Sequence, residues 1–190
     1  MKVFLINPDY LKFLWAFDKK VPLNFTACDV YNSARPYIGT LNINGINYYA
    51  PFEHPRKGHL KLKKNMHIIK MYNGRLGIIS LNNMIPVPES QLNELTPKMF
   101  ENGILKEQYK FCIKFENLIR SRAELIYENS KNPNEFEKSI YCDFNKLTHL
   151  CAKYEAITSS YYERLHILLH WRYYTARFKK NAQWAHDSKA

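Results

Sequence analysis

The chain has 190 residues, 46% of them apolar and 15% aromatic, so it is long enough to bury a core without disulfides or metals. Its formal net charge of +11 favours an acidic partner, and nucleic acid is the commonest one for a compact basic protein. An acidic protein, an anionic membrane surface or solubility alone are the alternatives. The four cysteines show no zinc-binding spacing and are expected to be reduced thiols.

The N-terminus and the hydropathy argue against export or membrane insertion. The opening "MKVFLINPDY" turns polar after only four apolar residues, too few for the core of a signal peptide. No apolar run approaches the roughly 18–20 residues that a membrane span requires. We therefore expect a cytoplasmic protein.

The first half of the chain is predicted to form strands, together with one short helix. "VFLI" begins as a strand, and "NPD" at positions 7 to 9 is typical of a helix start, so a short helix should extend through about Phe17. Hairpins are expected at the "NG" dipeptides of positions 44 and 73, because a type I′ turn needs positive φ at both central residues. The two prolines of "LNNMIPVPES" should end the strand region.

The second half changes to helical periodicity. Apolar residues fall mostly at helical spacing from about Pro97 to Asn129, "NPN" at 132 to 134 breaks the run, and a further helical stretch extends from about Asn145 to Phe178. We predict an α+β fold: a compact single domain over residues 1–190, with a curved antiparallel sheet and several helices, two long ones in the C-terminal half. The chain carries no GxGxxG, P-loop or HExxH motif, which removes those enzyme classes as leading ideas.

The segment between the two predicted hairpins carries charge of one sign. No Asp or Glu occurs between His54 and Pro88. A solvated face usually mixes signs, whereas a one-signed segment favours a polyanion, because each neutralised phosphate releases counterions. A merely soluble surface is the alternative. We assign RNA binding to Lys57, His59, Lys61, Lys63, Lys64, Lys70 and Arg75.

The same region holds groups that RNA cleavage would use. Cleavage without a metal needs a base near the 2′-hydroxyl, a proton donor for the departing 5′-oxygen and cations near the phosphorane. Tyr31, Arg35, Glu53, His54 and Arg56 include each of these types. His54 is the leading proton-transfer residue, because an imidazole acts as acid or base near neutrality, and Glu53 would orient it or be the base itself. Arg35 and Arg56 would stabilise the phosphorane, and Tyr31 would position the scissile nucleotide or serve as the base.

Four blocks follow one another along roughly the first ninety residues: "FDKKVP" (17 to 22), "ARPYIGTL" (34 to 41), "NGINYYAPFEHPRKGH" (44 to 59) and "GIISLNNMIPVP" (77 to 88). Together they resemble the ToxN/AbiQ family, the endoribonuclease toxins of type III toxin–antitoxin and phage abortive-infection systems. By position, the family's aromatic and basic residues ahead of the first hairpin fall on Tyr31 and Arg35, the latter standing where a lysine is usual.

The resemblance implies a fold related to that of the MazF-type toxins and metal-independent cleavage of RNA that leaves a 2′,3′-cyclic phosphate. It also implies inhibition by a small antitoxin RNA derived from tandem repeats, so the expected partners are antitoxin RNA and target RNAs, without a cofactor or a membrane. We expect a monomer without RNA, with a closed toxin–RNA ring as one arrangement of the complex. The alternative function is a non-catalytic RNA-binding module, and an adaptor for acidic proteins has no support beyond charge.

The loop that carries the candidate catalytic residues departs from the family pattern. The family reads roughly Ala-Pro-Leu-Ser/Thr-Ser-Pro-Lys, and this chain has "APFEHPR" at positions 50 to 56. Glu53 and His54 therefore replace two hydroxyls, and Arg56 replaces a lysine, unless the register slips and Lys57 takes the cationic role. In the unslipped register, true acid/base side chains act at the place where the family has hydroxyls.

Overall fold

The computed structural model describes residues 1–23, 35–96, 99 and 103–157, and in these ranges strands precede the main helices. Seven strands form one antiparallel sheet in the order β4-β5-β3-β2-β1-β7, with β6 also paired to β3. The predicted α+β class and curved antiparallel sheet are confirmed. The strands are β1 Val3–Ile6, β2 Tyr37–Ile43, β3 Ile46–Glu53, β4 Ile68–Lys70, β5 Ile78–Ser80, β6 Ile85–Pro86 and β7 Leu92–Leu95.

Six α-helices occur in the described ranges, and two of 14 residues, α4 and α6, lie in the second half as predicted. The stretch predicted to continue to Phe178 is described only as far as Ile157. The helices are α1 Pro8–Phe17, α2 Lys57–Lys61, α3 Ile104–Lys114, α4 Glu116–Asn129, α5 Glu135–Ile140 and α6 Phe144–Ile157.

The predicted start of α1 is confirmed in its atomic detail. The Asn7 side chain accepts a hydrogen bond from the Asp9 amide over 2.9 Å, and Pro8 occupies the first helical position. The same side chain donates to Gln91 Oε1 over 2.9 Å, which joins this helix start to the turn that leads into β7. Buried Leu11 is one of the residues that α1 packs against the sheet.

Both predicted hairpins form, but their turns differ. Asn44 and Gly45 make the two-residue turn between β2 and β3, with φ of 51° and 83°. The β4–β5 hairpin instead closes through residues 71–77, because its strand pairing ends at Lys70 and Ile78. Within this turn Asn73 has positive φ as expected.

Two predictions about element boundaries were wrong. The strand region continues past the prolines: β6 pairs with β3, and β7 pairs with β1. Pro86 is tolerated because β6 is only two residues long, and its carbonyl accepts a hydrogen bond from the Tyr10 hydroxyl over 2.7 Å. The helical run to Asn129 is two helices that meet at Phe115, and a short helix after Pro133, begun by an Asn134 capping box, was not anticipated.

The described residues share one hydrophobic core between the sheet and the helices. Side chains of α4 and α6, among them Ile119 and Leu147, are fully buried with the strands beneath them. Cys112, Cys142 and Cys151 are all buried. None of the helices described here has the length and apolar character to cross a membrane. That all 190 residues form one domain stays a prediction.

The candidate catalytic loop leaves the sheet at the end of β3, where β5 pairs with it. Phe52 lies opposite Ile79, and Glu53 opposite Ile78. Gly77 precedes this pairing with φ of +87°, and a Cβ at this position would lie only 2.0 Å from the Glu53 carbonyl oxygen. The position of Glu53 therefore depends on a glycine that has no side chain and adopts a left-handed backbone.

We expect Gly77→Ala to destabilise the fold more than Gly45→Ala, which is a matched control with φ of +83° and no atom within 4 Å of the point where a Cβ would lie. Left-handed strain costs about 1–2 kcal/mol in either variant, and displacement of the Glu53 backbone adds about 1–3 kcal/mol in Gly77→Ala only. Urea unfolding of both variants measures the difference. Equal free energies of unfolding would contradict the close contact.

Candidate active site

The candidate active site centres on Glu53, the last residue of β3. Ser80, at the end of β5, donates a hydrogen bond from Oγ to Glu53 Oε1 over 2.5 Å. His59 of α2 lies beside the other carboxylate oxygen, with Nε2 3.6 Å from Oε2. The Glu53 side chain is 25% exposed and that of His59 only 8%. These three residues are called here the Glu53 cluster. Ser80 and His59 contact the carboxylate from two sides and leave it accessible to solvent.

Contacts with the β4–β5 hairpin hold α2, the short helix that carries His59, in place. Gly74 lies so close that a Cβ there would be 2.6 Å from the His59 carbonyl oxygen. The Lys70 ammonium donates to the carbonyl oxygens of Leu60 and Leu62 over 3.1 and 2.8 Å. A cation is favourable there, because the last carbonyls of a helix lack partners within the helix. The buried imidazole is thereby kept against the cluster.

His54 does not contact Glu53 as the sequence suggested. Successive residues of an extended chain point to opposite sides, so the neighbour of Glu53 in sequence is not its neighbour in space. Among the described residues Glu53 contacts Ser80 and His59, and no hydrogen bond or ion pair joins it to His54. His54 is exposed beside the cluster, and its role in proton transfer stays a prediction.

Arg35 lies beside the strand that ends at Glu53. Its Nη1 is 3.5 Å from the carbonyl oxygen of Phe52, a long hydrogen bond, and its Nε is buried without a partner. In the described part of the chain only one other side-chain polar atom is buried without a hydrogen bond, His59 Nδ1. Buried polar groups are normally satisfied, so two exceptions, one beside the end of β3 and one in a histidine next to Glu53, indicate a functional position.

Most of the predicted RNA-binding cations are exposed and free of acidic partners. Lysines elsewhere, such as Lys110, Lys131 and Lys138, are paired with glutamates. Across residues 1–23, 35–96 and 103–154, by contrast, no ion pair involves the cations of the loop and hairpin. The exposed unpaired side chains are Arg56, Lys57, Lys61, Lys63, Lys64 and Arg75.

Two members of the predicted RNA-binding set lie differently from the rest. His59 is buried against Glu53, because α2 turns it towards the sheet, so its ring is not a surface contact for phosphate. Lys70 is half-buried, and its ammonium is occupied by the carbonyls at the end of α2. Both side chains support the site from within. Tyr31 lies outside the described residues.

Ser80 was not recognised as a site residue from the sequence. The available signal was its position at the end of a predicted strand, inside one of the four family-like blocks. Tyr37, near Arg35, is not a candidate base: burial raises the pKa of its hydroxyl, although the Arg35 guanidinium acts in the opposite direction. The protonated phenol donates to the carbonyl oxygen of Pro22 over 3.3 Å. No group of three metal-ligating side chains was found in the described ranges.

Comparison with known proteins identifies the family of this chain. The family model for Toxin ToxN of type III toxin–antitoxin systems matches residues 2–152. Endoribonuclease ToxN of Bacillus thuringiensis subsp. kurstaki is 28% identical over 168 residues, which cover 81% of this chain and 84% of that protein. Endoribonuclease AbiQ of Lactococcus lactis subsp. lactis is 26% identical over 161 residues, 77% of this chain and 85% of that protein.

Solved structures give the same result. A toxin structure from work on selective inhibition by a non-coding RNA pseudoknot superposes with a TM-score of 0.69 at 28% identity, covering 81% of this chain and 97% of that one. The lactococcal anti-phage endoribonuclease AbiQ, at 22% identity, supports the fold alone, with a TM-score of 0.68 over 82% of this chain and 98% of its own. The expected resemblance and the expectation of an endoribonuclease are confirmed. The chain belongs to the ToxN family of type III toxin–antitoxin systems.

Proposed function

We propose that this chain cleaves RNA without a metal, by attack of the 2′-hydroxyl on the adjacent phosphate, and leaves a 2′,3′-cyclic phosphate. The observation that carries the proposal is the Glu53 carboxylate, oriented by Ser80 and His59 at the start of a segment of exposed, unpaired cations. A binding surface for phosphates has no need of a fixed carboxylate, which repels them. A carboxylate that abstracts a proton does have to be held in place.

Glu53 acts as the base in this scheme. It removes the proton of the 2′-hydroxyl as the bond between the 2′-oxygen and phosphorus forms. The bond from phosphorus to the 5′-oxygen breaks, and the leaving oxygen takes a proton from the His54 imidazolium, which is exposed at the next position. The hydrogen bond from Ser80 keeps the carboxylate in one orientation, so that its proton-accepting oxygen is positioned before substrate binds.

Arg35 and Arg56 stabilise the charge that gathers on the phosphorane. Arg35 is suited to this because its Nε–H is buried without a partner and its Nη1 makes only a 3.5 Å contact to Phe52, so a phosphate oxygen would satisfy the guanidinium. Arg56 is exposed in the loop after His54. A guanidinium binds a phosphate through two nitrogens, which a lysine cannot do.

An antitoxin RNA derived from tandem repeats neutralises the enzyme in our proposal, and the pair acts in abortive infection by phage. The relatives support this: one solved neighbour concerns a processed non-coding RNA that regulates a bacterial antiviral system, at 26% identity and a TM-score of 0.66 over 78% of this chain and 96% of that one. The exposed cations provide a surface for such an RNA. The protein is a monomer in the cytoplasm without RNA, and a closed toxin–RNA ring is one form of the complex.

We expect Glu53→Gln and His54→Ala each to reduce the rate of RNA cleavage by about 10²–10⁴, the usual contribution of general acid–base catalysis, while RNA affinity is retained. Ser80→Ala should cause a smaller loss. His149→Ala, at an exposed histidine of α6, is the matched control and should cleave as the parent does. Single-turnover cleavage of labelled RNA measures the rates. A Glu53→Gln protein with the parent rate would remove Glu53 from the mechanism, and the same result for His54→Ala would remove His54.

The products should carry 2′,3′-cyclic phosphate ends and form at the same rate in excess EDTA. Treatment with a phosphatase that acts only on linear phosphates distinguishes the two kinds of end by gel mobility. Loss of activity in EDTA, restored by adding a divalent metal, would overturn the metal-free scheme.

Replacing Lys61, Lys63 and Lys64 together by Ala should weaken RNA binding and lower the slope of log Kd against log salt by about 2, since each phosphate contact on a single strand contributes about 0.7. The control removes the same charge from the paired residues Lys110, Lys131 and Lys138 and should leave the slope near that of the parent. Fluorescence anisotropy with the Glu53→Gln background measures both. Equal slopes in the two triple variants would show that net charge, and not this segment, determines binding.

A further inference from the structure

The β4–β5 turn presents an aromatic side chain in an unfavourable backbone conformation. Tyr72 has φ of 45° and ψ of 56°, the left-handed region, and its side chain is 46% exposed. Asn73 and Gly74, which follow with φ of 58° and 92°, are residue types that adopt this region readily. A bulky L-residue does so only at a cost in free energy, and such outliers concentrate at functional positions.

Packing within the protein accounts for only part of the surface of the Tyr72 ring. One edge contacts Phe111 of α3, with ring centroids 5.5 Å apart at an angle of 66°, and Phe111 is buried. Covering Phe111 requires an apolar side chain, which need not be aromatic and need not be nearly half exposed. The contact fixes the orientation of the ring, and the exposed part remains available for another planar group.

Tyr72 belongs to the same packed unit as the Glu53 cluster. Its turn contacts α2, where Gly74 lies against the carbonyl of His59, and Lys70 at the end of β4 donates to the last carbonyls of α2. Unpaired cations lie on α2, at Lys57 and Lys61, and within the turn itself, at Arg75. An exposed aromatic ring among cations is the arrangement by which proteins bind single-stranded nucleic acid.

We propose that Tyr72 is the platform on which a base of single-stranded RNA stacks beside the cleavage site, while the cations of α2 and Arg75 hold the neighbouring phosphates. The inference rests on the proposed function for the identity of the ligand as RNA. It assigns Tyr72 no part in proton transfer. The turn thus supplies a base contact, which the surrounding lysines do not provide.

The test compares Tyr72→Phe, which keeps the ring, with Tyr72→Leu, which keeps apolar cover over Phe111 and removes the ring. Tyr72→Asn is a third variant, because asparagine suits the left-handed backbone and guards against misfolding. The control is Phe136→Leu, another exposed aromatic with an edge contact, to His67 at 5.6 Å and 62°, but on α5 beside Glu135 and Glu137.

Binding is measured by anisotropy with a short 2′-O-methyl RNA, which lacks the attacking hydroxyl and stays uncut, and with an abasic oligonucleotide of the same length and charge. Tyr72→Leu and Tyr72→Asn should bind the RNA roughly 5- to 150-fold more weakly, with an unchanged salt slope, since stacking on an aromatic contributes that much and releases no counterions. Tyr72→Phe and the Phe136→Leu control should bind like the parent, and the abasic oligonucleotide should not distinguish the variants.

Three results would overturn the subsite: parent-like affinity of Tyr72→Leu or Tyr72→Asn in a folded protein, equal weakening by Tyr72→Phe, or equal weakening towards the abasic oligonucleotide. Thermal melting establishes that each variant is folded. A parent that binds RNA through Tyr72 but does not cleave it would refute the proposed function and leave the subsite standing. If the parent cleaves RNA but the Tyr72 variants bind RNA with the parent affinity, the subsite alone would be refuted.

Discussion

The backbone of the β4–β5 hairpin contacts the backbone at the end of β3, with no side chain between Gly77 and the Glu53 carbonyl. This approach lets β5 pair with the last two residues of β3, which brings the Ser80 hydroxyl to the Glu53 carboxylate. The same hairpin contacts α2 through Gly74 and so carries His59 to the other carboxylate oxygen. The geometry of the Glu53 cluster is therefore a product of sheet pairing and of the contact between the hairpin and α2.

One acidic side chain, Glu53, lies at the start of a segment of many basic side chains. The exposed arginines and lysines from Arg56 to Arg75 make no ion pairs within the described residues, and Glu53 is the acid that precedes them in the sequence. A carboxylate beside a polyanion site meets repulsion from the phosphate, so it must be held by its own partners. A serine hydrogen bond and a buried imidazole provide this without neutralising the surrounding surface.

Local signals in the sequence were sufficient for elements that local interactions determine. The asparagine cap of α1, the Asn44-Gly45 turn and the break at Pro133 follow from one residue and its near neighbours. The short strands β6 and β7 were missed because their pairing depends on distant partners. The pairing of Glu53 with His59, in place of His54, depends on the turn into α2 and on glycines contributed by the hairpin. No spacing in the sequence encodes that contact.

Helix α2 has only five residues and no side chain caps its first turn, so it is too short to persist as an isolated helix. It exists through its contacts with the hairpin and through burial of His59. A local opening of this one helix would therefore remove the imidazole from Glu53 and disperse Lys57 and Lys61 at the same moment. Bound RNA, by ordering the lysines, would keep the imidazole in place, so that the substrate would select the enzyme's assembled state.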